Sequence, residues 1–438
     1  MSFSPSQQLS IFGKRAVLVG AILKDCQEQS DNLVELTSLS ETAGAVVVDR
    51  FQQKISIIKP ATYIGSGKAK MLAERIERFE ADIAIFDNDL TPGQIRALEA
   101  ILDTQVVDRS ELILDIFATG ARTRQAKLQI ELAQLEYTYP RLTRMWSHLD
   151  SVAGAGGGTA AGAVGGVGTR GTGEKQLEID RRIVNKRITD LKRELTVIEK
   201  RRIREIDARG DAFKICLVGY TNAGKSTVMN AVTGAHVLAA DKLFATVDTR
   251  TKRWELENGA KALLSDTVGF VRHLPHQLVE SFKATLAEAV NADLLIHVVD
   301  ASSLRVFEQI ESVETVLEEI GCQEKDVLIL LNKCDAITDI GNFETLQTLY
   351  PDAISISAKT GLNLELAVAE IAARINGKQK TLRVVCDISN GKLQSYLRKH
   401  GEITDEQYSD TQVVIEATIG ANKIAVIKNL SPIKIEIV

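Results

Sequence analysis

The sequence predicts an α/β protein built from four parts, and three observations support this prediction. Short β-branched runs alternate with amphipathic stretches before residue 109 and again after residue 211. The segment between them carries a seven-residue apolar repeat, and the C-terminal end is rich in short β-type runs such as 411–418 and 423–428. The predicted parts are an N-terminal parallel α/β domain (1–109), a long antiparallel helical hairpin (110–210), a second α/β domain (211–376) and a small C-terminal α+β domain (379–438).

The N-terminal domain is predicted from strand and helix patterns that alternate along the chain. The predicted strands cover residues 15–20, 45–49, 83–87 and 105–107, and the predicted helices cover residues 32–42, 68–79 and 91–102. Thr91 and Pro92 place an N-cap residue and a first-turn proline at the start of the last helix. Alternation at this spacing indicates a mostly parallel sheet.

The hairpin is predicted from two long helical patterns joined by a glycine-rich loop. The predicted helices cover residues 111–137 and 174–209. The apolar positions that recur every seven residues in the second helix are Leu177, Val184, Leu191 and Ile198. Such a repeat is typical of coiled-coil packing. The joining segment, 153–173, holds ten glycines and has few side chains to bury, so we expect it to be mobile in solution.

A phosphate-binding loop opens the second α/β domain. The apolar strand 214–218 leads into a G-x-x-x-x-G-K-[ST] sequence, with a helix predicted after it. Inward-facing N–H groups and a helix N-terminus suit a phosphate. We expect Lys225 to reach the β- and γ-phosphates and the Ser226 hydroxyl to bind Mg²⁺. The candidate nucleotide-binding residues of this loop are Gly219, Tyr220, Thr221, Asn222, Ala223, Gly224, Lys225, Ser226 and Thr227.

Three further signatures follow in the same domain, each at the end of an apolar strand. They are Asp266-Thr267-Val268-Gly269, Asn332-Lys333-Cys334-Asp335 and Ser357-Ala358-Lys359. Asp266 is expected to hold Mg²⁺ through water, and the Gly269 N–H is expected to contact the γ-phosphate. The Asp335 carboxylate can accept both N1–H and N2–H₂ of guanine, and adenine lacks that donor pair. The Ala358 N–H can meet guanine O6, so the set predicts a P-loop GTPase domain that binds GTP.

Two positions bear on hydrolysis. The segment that begins at Phe244 offers Thr246 and Thr249 as the second Mg²⁺ hydroxyl, and spacing does not choose between them. Phe270 stands where many small GTPases carry the glutamine that orients the attacking water, and its side chain makes no conventional hydrogen bond. We therefore expect slow turnover that depends on a partner, with Lys225 and Gly269 as catalytic candidates.

Charge and composition limit the remaining possibilities. The net charge of −5 argues against indiscriminate nucleic-acid coating, yet residues 175–209 hold twelve basic against seven acidic side chains. A salt-bridged coiled-coil face and an RNA-binding face both explain that excess. No signal peptide or apolar membrane span is evident, and the five cysteines are scattered, as in a reducing cytoplasm. Gly65-Ser66-Gly67-Lys68 lacks both ends of the phosphate-loop motif and predicts a turn before a helix.

Across nearly its whole length, the chain resembles the HflX family of ribosome-associated GTPases. The segments that carry the resemblance are 63–68, 90–94, 108–117, 128–135, 139–142, 166–171, 174–182 and 266–275. The resemblance implies binding to the rRNA and proteins of the large ribosomal subunit, and ribosome splitting or rescue under stress. It also selects Thr246 as the Mg²⁺ ligand and as a third catalytic candidate, and members of the family commonly carry phenylalanine at the position of Phe270. Thr172 departs from the family pattern, which usually has proline there.

The sequence thus predicts a Mg²⁺-dependent GTPase, binding GTP and GDP, that associates with the large ribosomal subunit. The alternative is a GTP-switched module that binds a protein through the hairpin and does not contact RNA. A third hypothesis, an RNA-remodelling ATPase, lacks a complete second nucleotide motif. We expect a monomer in the cytoplasm, with peripheral attachment to a membrane left open.

Overall fold

A computed structural model of the chain describes residues 11–23, 33–155, 170–208, 213–234, 243–244, 249–256, 261–272, 288–420 and 424–437. The described residues fall into two compact units. The first unit takes its residues from Met1–Ile198, Ala240–Asp248 and Arg272–Ala284. The second unit takes its residues from Glu199–Ala239, Thr249–Val271 and Thr285–Val438.

The first unit contains a four-stranded parallel sheet in the order β2-β1-β3-β4. Its strands are β1 (Arg15–Leu23), β2 (Val46–Ile55), β3 (Ile83–Phe86) and β4 (Gln105–Val107). Its helices are α1 (Val34–Thr42), α2 (Ser66–Arg78), α3 (Pro92–Leu102) and α4 (Arg109–Gly120). Buried side chains such as Val17, Leu72, Phe86 and Leu98 form its core. The predicted parallel sheet is confirmed.

Helix α3 begins as its sequence predicts, and α2 begins at Ser66, two residues before the predicted start at residue 68. Thr91 Oγ1 accepts from the Gln94 N–H, and Gln94 Oε1 accepts from the Thr91 N–H, which completes a capping box ahead of α3. Gly65 has a φ of 86° immediately before α2, and Lys68 Nζ donates to the Lys54 carbonyl. Only Gly65 of the glycine–lysine segment therefore precedes the helix, and Ser66, Gly67 and Lys68 form the first turn of α2 instead of the predicted turn before it.

The long hairpin also lies largely in the first unit. It consists of α5 (Arg124–Ala155) and α6 (Arg170–Ala208). Leu128, Leu132 and Leu135 of α5 pack against Leu191 of α6. Val184, Ile188, Leu195 and Ile198 of α6 pack against the same cluster. The predicted apolar faces are thus confirmed for the described side chains.

Helix boundaries in the hairpin differ from the prediction at two places. The single helix predicted over 111–137 is two helices, because α4 ends at Gly120 and Thr123 Oγ1 accepts from the Ala126 N–H at the start of α5. Within the predicted 153–173 loop, residues 153–155 and 170–173 are helical. Extending a formed helix costs less than starting one, so glycine at its ends does not stop it at once. The remainder of the predicted loop lies outside the described residues.

The second unit contains a six-stranded sheet in the order β10-β9-β8-β5-β7-β6, in which only the edge strand β6 runs antiparallel. Its strands are β5 (Phe213–Val218), β6 (Arg250–Glu255), β7 (Lys261–Asp266), β8 (Leu294–Asp300), β9 (Val327–Asn332) and β10 (Ile354–Ser355). Its helices are α7 (Lys225–Thr233), α8 (Val306–Glu319), α9 (Ile340–Leu349) and α10 (Leu364–Lys378). The parallel arrangement places the carboxyl ends of five strands along one edge.

The C-terminal domain is a four-stranded antiparallel sheet in the order β12-β13-β11-β14. Its elements are β11 (Gln379–Asp387), α11 (Gly391–His400), β12 (Glu402–Tyr408), β13 (Gln412–Gly420), α12 (Ile424–Asn429) and β14 (Lys434–Ile437). This β-α-β-β-α-β succession agrees with the predicted α+β class.

One predicted strand of that domain is wrong. The β-branched run 423–428 predicts a strand, but residues 424–429 form helix α12. Ile424 and Ile427, three residues apart, both pack on the C-terminal core, where Ile427 is fully buried. Packing of one helical face against the sheet overrides the local β propensity. None of the described helices is long and apolar enough to cross a membrane.

Candidate nucleotide-binding site

The phosphate-binding loop joins β5 to α7 and needs glycine at both of its ends. Gly219 has a φ of 147°, and a Cβ added there would lie 2.2 Å from the Val298 carbonyl oxygen. Gly224 has a φ of 96°, and its added Cβ would lie 2.3 Å from Asn332 Nδ2. A larger residue at Gly219 would have to displace the backbone of β8, and one at Gly224 would have to displace the Asn332 side chain and adopt a strained backbone conformation. The loop is therefore held closely against the strands beside it.

Lys225 is a buried cation at the first position of α7. Its Nζ donates to the carbonyls of Gly219 (3.0 Å) and Tyr220 (2.8 Å), which folds the side chain back over the loop. Burial lowers the pKa of this ammonium to about 8, although Asp266 acts in the opposite direction. An anion bound beside the ammonium would offset that cost of burial, so the loop is electrostatically suited to phosphate.

Ser226 and Asp266 meet beside the loop. The Ser226 hydroxyl donates to Asp266 Oδ2 at 2.7 Å, and Asp266 is fully buried at the end of β7. A hydroxyl oxygen and a carboxylate at this separation form the type of oxygen-donor set that Mg²⁺ takes in nucleotide sites. The chemistry of the two residues therefore fits the metal expected from the sequence.

The chain beyond Asp266 pairs with the phosphate-binding loop through its backbone. The Phe270 N–H donates to the Gly219 carbonyl (3.1 Å), and the Thr221 N–H donates to the Phe270 carbonyl (2.7 Å). A Cβ added to Gly269 would lie 2.8 Å from the Thr221 Cα and 2.9 Å from Lys225 Nζ. Gly269 is thus in the close contact with the loop that only glycine permits. The Phe270 side chain is buried.

The opposite end of the site is organised by Asn332 at the end of β9. Its Nδ2 donates to the Ala223 carbonyl (2.8 Å), and its Oδ1 accepts from the Ala358 N–H (2.9 Å). The side chain thereby joins the phosphate-binding loop to the Ser357–Lys359 segment. The contact with guanine O6 predicted for the Ala358 N–H would have to replace or share the bond to Asn332.

Asp335 is exposed at the same end of the site. The Ser357 hydroxyl donates to Asp335 Oδ1 at 2.6 Å, and this bond is the main reason that the pKa of Asp335 is lowered. The carboxylate therefore remains ionised at neutral pH and has acceptor capacity for a base. Lys333, with a φ of 63°, forms an ion pair with Asp300 at 2.7 Å, which fixes the backbone turn that presents Asp335.

Most predicted site residues that the structure describes lie at the carboxyl ends of the parallel strands. Three further predicted site residues belong to the described part of the chain: Asn222, Thr227 and Lys359. No contact with a particular nucleotide group is assigned to them. Phe244 belongs instead to the first compact unit, where its buried ring lies 4.5 Å from the ring of Phe117. Thr246 lies outside the described residues.

The sequence analysis missed Asp300 and the whole of strand β8. That strand supplies the Val298 carbonyl beneath Gly219 and the Asp300 carboxylate that pairs with Lys333. The signal was present, because Leu294–Asp300 is an apolar run that ends in a carboxylate, like the strand before Asp266. It was missed because residue 300 belongs to none of the four signatures.

Comparison with known families covers most of the chain in three consecutive segments. Residues 30–118 match the family described as GTP-binding GTPase N-terminal, and residues 120–209 match GTP-binding GTPase Middle Region. Residues 214–333 match the family described as 50S ribosome-binding GTPase. The last segment includes the phosphate-binding loop, the Asp266–Gly269 signature and the first two residues of the Asn332–Asp335 signature.

Individual relatives match over nearly full length. The chain is 40% identical to the GTPase HflX of Lacrimispora saccharolytica, over 94% of this chain and 95% of that protein. It is 41% identical to the GTPase HflX of Escherichia coli K12, over 85% and 86% of the two chains. A GTP-binding protein from the archaeon Sulfolobus solfataricus, solved with GDP, is 26% identical over 83% of this chain and 99% of that chain, with a TM-score of 0.42. The chain is a GTP-binding GTPase and belongs to the HflX family.

Proposed function

We propose that this GTPase binds GTP with Mg²⁺ at the described site and acts on the large ribosomal subunit, where it splits or rescues ribosomes under stress. A family described as 50S ribosome-binding GTPase matches residues 214–333, which supports this direction. The observation that carries the proposal is a basic face on helix α6 that points away from its partner helix.

In the proposed nucleotide complex, each predicted group has a defined task. Lys225 and the loop N–H groups bind the phosphates, and the Gly269 N–H contacts the γ-phosphate. Ser226 and Asp266 would hold Mg²⁺, with Thr246 as a further ligand. The metal neutralises charge on the β- and γ-phosphate oxygens when it is bound. The Phe270 side chain is buried and apolar, so orientation of the attacking water falls to another group.

Asp335 is proposed to select guanine, and replacing one of its carboxylate oxygens by an amide nitrogen tests this role. Asp335→Asn should shift the preference from GTP to xanthosine triphosphate by about tenfold or more, because the amide donates where the carboxylate only accepts. The measurement is a competition titration of the two nucleotides. The control is Asp352→Asn, an exposed carboxylate of the same domain. A variant that still selects GTP would show that Asp335 does not read the base.

Five basic residues of α6 form two groups with different surroundings. One group is neutralised across the hairpin, where Arg187 pairs with Glu131 at 2.7 Å and Lys192 pairs with Glu136 at 2.7 Å. These pairs lie on the sides of α6 that border α5, close to the apolar cluster around Leu191. Such cross-helix pairs agree with one of the two explanations of the basic excess, the salt-bridged coiled-coil face.

The second group consists of Arg182, Lys186 and Arg193. Spacings of four and seven residues place them on one helical face, opposite the apolar seam. All three are exposed, and none forms an ion pair with another residue of the described ranges. Three unneutralised cations in a row, on a protein with a net charge of −5, favour an anionic partner for this face. RNA phosphates have the spacing and charge that such a row can neutralise.

Replacement of these three cations tests the RNA assignment. The variant Arg182→Gln, Lys186→Gln, Arg193→Gln should bind large subunits more weakly and lower the slope of log affinity against log salt by about two to three. Binding is measured by sedimentation of the protein with large subunits through sucrose gradients, with a non-hydrolysable GTP analogue, at several salt concentrations. GTP affinity should not change, because the substitutions lie outside the nucleotide site.

The matched control removes three exposed lysines from the C-terminal domain by changing Lys392, Lys399 and Lys428 to glutamine. It alters the net charge by the same amount. Equal weakening in both variants would show that total charge, and not the α6 face, determines binding. Full binding by the α6 variant would favour the alternative function, a GTP-switched module that holds a protein partner.

A further inference from the structure

Four charged side chains of the first compact unit form one network beside its parallel sheet. Arg109, at the start of α4, donates from Nη1 to Asp87 Oδ1 at 2.5 Å and from Nη2 to Glu35 Oε1 at 2.7 Å. Glu35, in the first turn of α1, also accepts from Arg272 Nε at 3.0 Å. Arg109 Nε in addition donates to the Arg272 carbonyl at 3.3 Å. Both the side chain and the backbone of Arg272 are therefore held.

Arg109 is fully buried in this network, and the other three charged side chains are partly buried. The Arg109 side chain is 1% exposed, and those of Glu35 and Arg272 are 15% and 12% exposed. Burial raises the pKa of Asp87, and the Arg109 guanidinium acts against that rise. Two cations balance two carboxylates, so the set is formally neutral. A buried, balanced and multiply bonded network has little freedom to rearrange, and it fixes its members in place.

Arg272 matters because of its position in the chain. It lies two residues after Phe270 and three residues after Gly269. The N–H and the carbonyl of Phe270 are both hydrogen-bonded to the phosphate-binding loop. Two residues of extended chain span about 7 Å, so Phe270 and Arg272 cannot move independently over larger distances. The intervening Val271 is buried, which removes further freedom. The chain that follows Gly269 is thus held at Phe270 by the phosphate-binding loop and at Arg272 by the network.

We propose that Glu35 and Arg109 are positioning residues for the γ-phosphate, acting through Arg272. Their network holds the chain after Gly269 so that the Gly269 N–H is already ordered when GTP arrives. GDP lacks the γ-phosphate and makes no use of this N–H. The network therefore gives the N-terminal α/β sheet a direct effect on the choice between GTP and GDP. This inference rests on the proposed contact between Gly269 and the γ-phosphate.

The test compares affinities for a non-hydrolysable GTP analogue and for GDP. In Arg272→Gln and in Glu35→Gln, affinity for the analogue should fall about tenfold, because binding must then order the freed chain. Affinity for GDP should stay within about twofold, which also shows that the variants are folded. Arg272→Lys should recover part of the loss, since an ammonium can still pair with Glu35. The double variant should be no worse than either single variant, because both remove the same connection.

Two further variants separate this inference from the proposed site itself. Arg75→Gln removes an ion pair of the same unit, with Asp49 at 2.7 Å, that has no connection to residue 272, and it should leave the affinity ratio unchanged. Gly269→Ala should lower affinity for the GTP analogue whether or not the network matters. An unchanged ratio in Arg272→Gln and Glu35→Gln, with a loss in Gly269→Ala, would overturn the positioning role alone. Unchanged binding in Gly269→Ala would overturn the proposed γ-phosphate contact.

Discussion

Lys225→Ala should abolish tight nucleotide binding, with affinity for both GTP and GDP reduced at least about a hundredfold. The ammonium is buried across the phosphate-binding loop, and burial lowers its pKa to about 8. A charged hydrogen bond between an ammonium and a phosphate contributes about 1.5–3 kcal/mol, and Lys225 is placed to make two of them. The measurement is a fluorescence titration of the purified variant with a labelled nucleotide.

The matched control for that experiment is Lys214→Ala. Lys214 is a half-exposed lysine of β5 whose backbone N–H, not its side chain, is bonded to Asp293. Its replacement removes one positive charge from the same strand and should leave nucleotide affinity within about twofold, as for other surface substitutions. GTP affinity that is unchanged in Lys225→Ala would contradict the assignment of the site.

The broad fold could be predicted because local pattern and tertiary role agree in both parallel sheets. The strand before Gly219 is apolar and buried from Ile215 to Val218, as strands covered on both faces are, and the motif after it requires a tight turn into a helix. The run 423–428 shows the opposite case. Its β-branched residues favour a strand locally, but Ile427 is buried only when the segment is helical and packs on the C-terminal sheet.

The candidate site was predicted where short motifs carry the chemistry, and not where residues distant in sequence meet. Ser226 and Asp266 belong to separate signatures and converge as expected. The Asn332 bond to the Ala358 N–H could not be predicted, since the residues are 26 positions apart and the Ala358 N–H had been assigned to guanine O6. Asp300 was not considered because it carries no motif. Thr246 stays a prediction.

The network around Arg109 also joins residues that are distant in sequence, and it could not be predicted from local motifs. Glu35 and Arg272 are separated by 237 positions. Nothing in the local sequence of either residue indicates a partner, and an arginine after a GTPase signature is most simply a solvent-exposed side chain. Only the packing of α1, α4 and the 272 segment within one compact unit reveals the pairing.

The second large effect is expected on hydrolysis itself. GTP turnover by the isolated protein should be slow, because the buried Phe270 side chain cannot orient water in place of the usual glutamine. Large ribosomal subunits should accelerate turnover at least about tenfold, by supplying or ordering the missing polar group. Shortening the 153–173 segment should impair this acceleration while nucleotide affinity stays intact, since none of the proposed nucleotide contacts lies within it.

The central claim is that this GTPase acts on the large ribosomal subunit, and one measurement tests it most directly. GTP turnover is followed with and without purified large subunits, at two salt concentrations, for the intact protein and for the protein with 153–173 shortened. The account predicts strong acceleration of the intact protein that weakens at higher salt, and a smaller acceleration of the shortened protein. Equal turnover with and without subunits would contradict the ribosomal assignment and favour a protein effector.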